Sequence, residues 1–171
     1  MSLPVLSQTL ETPWTELEPI RVGQVPPGLG TPDLYVTAPV EKATLRVDVY
    51  ADRSSESLSF KEAIIWADWL VIGFGHRLYL ISLVTQLPIT INLGSYFAHL
   101  YPQTELLLVA TAERVYGIDR GGKVKWISPQ LAIDGVIIQS IVGDVASGAG
   151  QWDPPGGWRP FRLHLHSGKP I

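Results

Sequence analysis

Cysteine is absent from this 171-residue chain, and its absence removes several kinds of chemistry at once. Without thiols the chain has no disulfides, no thiolate metal site and no cysteine nucleophile. A cysteine-free composition is compatible with a reducing compartment, and we expect a cytoplasmic protein.

Long apolar runs and a strong charge imbalance are also missing. The run WLVIGF at 69–74 is soon followed by His76 and Arg77, far short of the roughly 20 residues of a membrane helix. The N-terminal residues have no basic region followed by an apolar stretch, so they do not predict a signal peptide. The net charge of −3 disfavours a nucleic-acid surface built from bulk positive charge. We therefore expect neither a membrane nor a nucleic-acid partner.

Common catalytic motifs are missing as well. The chain has no G-x-S-x-G, no P-loop, no G-x-G-x-x-G and no H-E-x-x-H. We accordingly predict a non-enzymatic protein with no catalytic residues and no cofactor.

A repeat at an offset of 37 residues is the clearest positive feature. The segment 69–81 reads WLVIGFGHRLYLI, and 106–118 reads LLLVATAERVYGI. Each copy is an apolar strand, a small-residue turn and a second strand, which predicts a β-hairpin used twice. Phe161 to Lys169 can be aligned as a third copy if one extra residue is allowed.

The predicted fold is all-β, made of sequential antiparallel hairpins with at most one or two short helices. A propeller-blade-like arrangement, a sandwich and a strongly twisted open sheet all fit the pattern. Residues 1–33, rich in Pro and Gly, predict an arm, either docked on the body or disordered. Its apolar residues favour docking. Residues 34–171 are expected to form a single β domain.

Three shorter segments carry specific predictions. Ser59 to Glu62 matches a capping box, but the apolar run that follows favours a strand. Ser95 to Tyr101 suggests one helical turn ending before a proline. Gly135 to Val145 is apolar on both faces and predicts a central strand, which would place the carboxylate of Asp144 inside it.

The second copy of the repeat resembles a known family. The run VYGIDRGGKVKW at 115–126 is similar to blade segments of quinoprotein-type β-propellers, which favour Tyr, a following Asp, a Gly-Lys turn and a Trp. The resemblance covers 104–127 and is weaker at 69–93 and 158–169. It implies blade-like hairpins, whereas three copies are fewer than the four or more blades of a propeller. The quinone cofactor does not carry over.

The tryptophan-rich run 151–160 is the strongest candidate binding site. Trp152 and Trp158 flank a Pro/Gly-rich loop, with Asp153 and Arg159 beside them. Aromatic side chains on a rigid loop make a platform for a sugar, a peptide or a protein. The alternative, which we favour, is that both rings plug the open end of the sheet. The other four tryptophans are most simply core residues.

His164 and His166 are weak metal candidates, because residues two apart on a strand share a face. Arg162 would lie on that face too and would repel a cation, so we predict no metal site.

Three functions remain open from the sequence. The leading hypothesis is a non-catalytic binding or scaffold module acting through protein–protein contact. The alternatives are a small-ligand or carbohydrate-binding domain using residues 151–160, and a metal-dependent hydrolase. The protein partner is unknown, and open strand edges motivate the prediction of a homodimer.

Overall fold

The computed structural model describes residues 3–40, 43–51, 60–153 and 156–171, and these residues build an all-β protein. Helical structure within them is confined to one 3-10 turn, Trp14–Glu16. The strands are β1 Val5–Ser7, β2 Ile20–Gly23, β3 Leu34–Val40, β4 Ala43–Tyr50, β5 Lys61–Trp66, β6 Trp69–Phe74, β7 Arg77–Ser82, β8 Pro88–Asn92, β9 Phe97–Pro102, β10 Leu106–Thr111, β11 Val115–Asp119, β12 Val124–Ile127, β13 Gly135–Val142, β14 Val145–Trp152 and β15 Gly157–His164. The all-β prediction is confirmed.

The chain divides into two compact units, residues 1–92 and 93–171. This division differs from the expected boundary after residue 33. Strands β1 and β2, which belong to the expected arm, form the two edges of the first sheet. The Pro/Gly-rich segment is therefore part of the first unit's framework.

The first unit contains two sheets that share a core. Sheet 1 has the order β1-β3-β4-β2, and sheet 2 is the meander β5-β6-β7-β8. All pairs are antiparallel except β2 with β4, which run parallel. Alternate residues of β3 and β4, such as Val36 and Val47, pack with Leu70, Ile72 and Ile81 of sheet 2. This alternation is what the period of a half-buried strand predicts.

The other face of sheet 1 carries a buried ion pair that holds the N-terminal segment. The guanidinium of Arg46 donates two bonds of 2.9 Å to the carboxylate of Asp48. It also donates to the carbonyls of Trp14 and Leu17, at 3.3 and 3.2 Å. Its carbon lies 5.8 Å from the ring centroid of Tyr35. Residues 14–17 are thus tied to β4 by one side chain.

The second unit contains sheet 3, the meander β9-β10-β11-β12, and sheet 4, with the order β13-β14-β15. They share a core in which Leu108 and Val115 of sheet 3 belong to the same cluster as Val136, Ala146 and Leu163 of sheet 4. The described part of sheet 4 has three strands. A single bridge from Leu163 to Pro170 continues it beyond β15.

The predicted repeat is present as structure. β6 and β10 lie 37 residues apart, and each pairs antiparallel with the following strand. The third turn of the meander also recurs, in sheets 2, 3 and 4. The N–H of Ser82 donates to the carbonyl of Leu87, Asp119 to Lys123, and His164 to Lys169. The residue before each acceptor has positive φ: Gln86, Gly122 and Gly168.

Trp126 fastens sheet 3 to sheet 4. Its indole Nε1 donates to the carbonyl of Leu165 at 2.7 Å. The ring lies against Gly117 and Gly168, where an added Cβ would stand 2.4 and 2.3 Å from ring carbons. Both glycines therefore provide the space that the indole occupies.

Two sequence predictions are wrong and one is confirmed. Residues 97–102 form β9 rather than a helical turn, because Phe97 and Leu100 are buried as part of sheet 3. Gly135 to Val145 is not one central strand, since Gly143 and Asp144 turn the chain between β13 and β14. Asp144 is thus exposed in a turn. The strand preference at β5 is confirmed, whereas Ser59 of the capping box lies outside the described residues.

The tryptophans expected in the core divide into two groups. Trp66 and Trp126 are buried, whereas Trp14 and Trp69 are half-buried. The described residues contain no helix that is long and apolar enough to cross a membrane.

Candidate functional site: the outer face of sheet 4

The β14–β15 hairpin separates the two candidate tryptophans. Trp152 pairs with Gly157, and Trp158 pairs with Gln151. Cross-strand partners share a face and adjacent residues alternate, so Trp152 and Trp158 point to opposite faces of sheet 4. The expected 151–160 loop is mostly strand, and its two rings do not form one platform.

Trp152 lies on the face that carries the core residues of sheet 4. Arg159 shares that face, and its guanidinium carbon lies 5.3 Å from the indole centroid of Trp152. A cation over an indole face is favourable, so this arginine occupies one side of the ring. Trp152 and Arg159 thus form a pair of their own, apart from Trp158.

Asp153 lies in the turn between the two strands and is exposed. Its carbonyl accepts a bond of 2.6 Å from the N–H of Gly156. A Cβ at Gly156 would stand 2.7 Å from the Cβ of Trp152, so a side chain there would need the turn to move. Residues 154 and 155, expected in the rigid part of this turn, lie outside the described residues.

Trp158 lies on the opposite face, which we call the Trp158 face. The register across the three strands defines its four rows. They are Gly135–Gln151–Trp158, Ile137–Ala149–Pro160, Ser140–Ser147–Arg162 and Val142–Val145–His164.

Large apolar side chains on the Trp158 face are open to solvent. Trp158 is 50% exposed, Ile137 is 40% exposed and Val142 is 75% exposed. Single exposed apolar residues are common on proteins, but Trp158 and Ile137 lie in neighbouring rows and form an apolar patch, with Val142 at the other end of the face. The favoured expectation for Trp158, a ring that plugs the sheet end, conflicts with its exposure.

The Trp158 ring extends across the sheet towards β13. A Cβ at Gly135 would lie 3.8 Å from the outermost ring carbon, and Gln151 lies between the two residues in the register. The indole thus reaches past Gln151 to Gly135 at this end of the sheet. Its position is set by β14 and β13 as well as by its own strand.

A tyrosine just before β9 holds the start of β13 in place. The hydroxyl of Tyr96 lies 2.7 Å from the carbonyl oxygen of Asp134 and 2.8 Å from its Oδ1. Burial, the hydrogen bond to Asp134 and the charge of that carboxylate raise the pKa of Tyr96 to about 12. The phenol therefore stays protonated and anchors the residue next to Gly135.

The charge on the Trp158 face is of one sign. Its twelve residues include no carboxylate, and Arg162 is the permanently charged residue among them. Arg162 is exposed and forms no ion pair with any described residue. On a chain with net charge −3, this face therefore combines apolar surface with an unpaired cation.

The two candidate histidines lie in different settings. β15 ends at His164, and His166 follows in a turn, so strand alternation does not extend to it. The Nε2 of His166 lies 3.2 Å from Oδ1 of Asp144. Within the described residues there is no group of three side chains that could hold a metal ion.

Sequence reasoning missed Ile137, Val142 and Arg162 as parts of one surface. An apolar pattern on both faces of 135–145 predicts a strand buried on both sides, so it gives no sign that Ile137 and Val142 are exposed. The pair Gly143-Asp144 was the available signal, because Gly and Asp favour turns. A turn there ends β13 at Val142. In the described part of sheet 4, β13 is an edge strand, and one of its faces is in solvent. No protein-family model and no curated protein matches the chain.

Proposed function

We propose that the protein is a non-catalytic binding module that engages a protein partner through the Trp158 face. The observation that supports this is the half-exposed indole of Trp158 on the sheet, with exposed Ile137 in the neighbouring row and exposed Val142 at the other end of the same face. Tryptophan supplies a large contact area at a small entropic cost and is enriched among residues that dominate binding energy. The cytoplasmic location expected from the composition is part of this proposal.

The test is affinity capture from the native lysate with the parent chain, Trp158→Ala and Leu87→Ala. Leu87 is 68% exposed on the first unit and serves as the matched control, because it removes an exposed apolar side chain elsewhere. We expect a protein that the parent and Leu87→Ala retain and Trp158→Ala loses. Equal capture by all three would contradict the proposal.

A carbohydrate or other small ligand is the second candidate. The solvent-exposed half of the Trp158 ring favours it, since sugars stack on aromatic rings. It predicts a change in tryptophan emission on adding a sugar panel, lost in Trp158→Phe. Because Arg159 already covers one side of Trp152, we place the ligand on Trp158. An unchanged spectrum across the panel would remove this candidate.

The metal-dependent hydrolase is the third candidate, and the contact between His166 and Asp144 is its support. It predicts bound metal in the purified protein and loss of that metal in His166→Ala. Metal analysis of the parent that finds none would end this candidate.

A further inference from the structure

We infer that the occupant of the Trp158 face is a short peptide segment that carries a large apolar side chain for Trp158 and, a few residues away, a carboxylate for Arg162, which lies two rows from Trp158. This inference rests on the proposed function and specifies its partner. It depends on three properties of the face: its charge, its size and its lack of self-complementarity.

The charge of the face selects against basic and for acidic partners. Arg162 lies in the row next to Ile137, Ala149 and Pro160, and it is exposed without an ion-pair partner among the described residues. Its guanidinium can bind a carboxylate through two parallel hydrogen bonds. His164 lies one row further along the same strand. A carboxylate bound here meets no acidic neighbour within the four rows.

The size of the face favours a segment over a whole domain. Three strands span roughly 10 Å across, and eight residues of strand span about 25 Å. The face therefore offers a footprint of about 250 Å² in projection. Its accessible surface is larger because side chains stand out from the sheet, but the footprint is that of a short segment and not of a domain. A peptide that lays one aromatic or aliphatic side chain beside Trp158 matches this area.

A second copy of the chain fits the face poorly. In a two-fold pair the same patch lies on both sides, so each Arg162 must find its partner on an identical face. That face has no carboxylate in its four rows. Self-pairing through it would bury two cations without counter-charges, which costs free energy.

The experiment is a selection of random linear peptides on the immobilised full chain. Enriched peptides are then synthesised, and their affinities are measured by fluorescence anisotropy. Each is paired with a version in which Asp and Glu are replaced by Asn and Gln. We expect enrichment of Asp or Glu a few residues from Leu, Phe or Trp, which matches the two-row separation of Trp158 and Arg162, and roughly tenfold weaker binding by the amide versions.

Variants of the chain locate the binding. Trp158→Ala should weaken the peptide roughly 30-fold or more, the scale of a dominant interface residue. Arg162→Glu should weaken it at least about tenfold, whereas Arg162→Lys, which keeps the charge, should stay within about threefold. Lys123→Glu is the control, because it makes the same charge change on an exposed residue of the turn between β11 and β12.

Three outcomes would overturn the inference. One is a selection that yields no peptide. A second is peptides that depend on Trp158 but show no preference for carboxylates. The third is self-association by sedimentation that Trp158→Ala abolishes. A lysate partner lost in Trp158→Ala, found together with any of these, would leave the proposed function standing and remove only the acidic peptide.

Discussion

The Arg46–Asp48 ion pair allows a stability prediction with a defined magnitude. The two side chains keep 11% and 5% of their accessible surface, so both charges are largely out of water. Among the described residues, Asp48 receives both of its side-chain hydrogen bonds from Arg46. Replacing Arg46 by Met therefore leaves a buried carboxylate without its cation and removes a donor from the carbonyls of Trp14 and Leu17.

The magnitude follows from the cost of an uncompensated buried charge. Breaking one partner of a buried pair costs about 3–5 kcal/mol, against a total stability of about 5–15 kcal/mol for a domain. We expect Arg46→Met to lose about 3–5 kcal/mol. Asp48→Asn should lose less, about 1.5–3 kcal/mol, because Arg46 keeps two carbonyl acceptors and the Tyr35 ring.

The double variant Arg46→Met/Asp48→Leu tests whether the two charges act as a unit. It removes both charges together, so no charge remains buried. We expect its cost to be smaller than the sum of the two single variants, and smaller than that of Arg46→Met alone.

The assay is urea unfolding followed by circular dichroism, with Arg21→Met as the matched control. Arg21 forms a 3.5 Å pair with Glu18, which is 87% exposed, so its loss should cost below about 1 kcal/mol. The argument fails if Arg46→Met costs no more than Arg21→Met. It also fails if the two single effects simply add in the double variant.

Three further predictions concern the second unit and the assembly. The pKa of Tyr96 is raised from 10 to about 12 in the fold, so the stability linked to it is intact below pH 10 and is lost as pH rises towards 12. Urea midpoints between pH 8 and 12 should therefore fall more steeply for the parent than for Tyr96→Phe, and parallel curves would refute this. Gly117→Ala should cost about 1–3 kcal/mol through its clash with Trp126, and its cost should be smaller in a Trp126→Leu background, where the indole is absent; equal costs in the two backgrounds would count against the contact. A homodimer joined through strand edges should appear as twice the chain mass in light scattering, and a monodisperse monomer would contradict it.

Local patterns predicted the strands because their period is visible in the sequence. Leu45, Val47 and Val49 of β4 alternate with more polar residues, as is typical of a half-buried strand, and the 37-residue repeat predicted the β6–β7 and β10–β11 hairpins. In the alignment of the third copy with the second, Gly168 corresponds to Gly122, and both glycines adopt positive φ in equivalent turns. These features depend on neighbours a few residues apart, which a sequence displays directly.

Which face a residue occupies was harder to predict, because it depends on where strands end. Shifting the register of a strand by one residue moves each of its side chains to the opposite face of the sheet. Trp152 and Trp158 looked like one site because a loop was assumed between them. The structure continues β14 to Trp152 and begins β15 at Gly157, and that register sends the rings to opposite sides. The buried fork of Arg46 with Asp48 left no signal beyond strand alternation.

The Trp158 face depends on contacts made on the other side of the same sheet. Gly148 and Gly150 have no room for a side chain, since a Cβ would stand 2.1 and 2.0 Å from the carbonyl oxygens of Ile137 and Leu131. Trp126 holds the turn after β15 through Leu165 and Gly168. Contacts on its core face therefore fix sheet 4, while the Trp158 face keeps the indole of Trp158 and the guanidinium of Arg162 in solvent. A rigid support with exposed anchors limits the entropy lost on binding. This is why we propose a binding role for Trp158 and Arg162, whereas the contacts of Trp126 are structural.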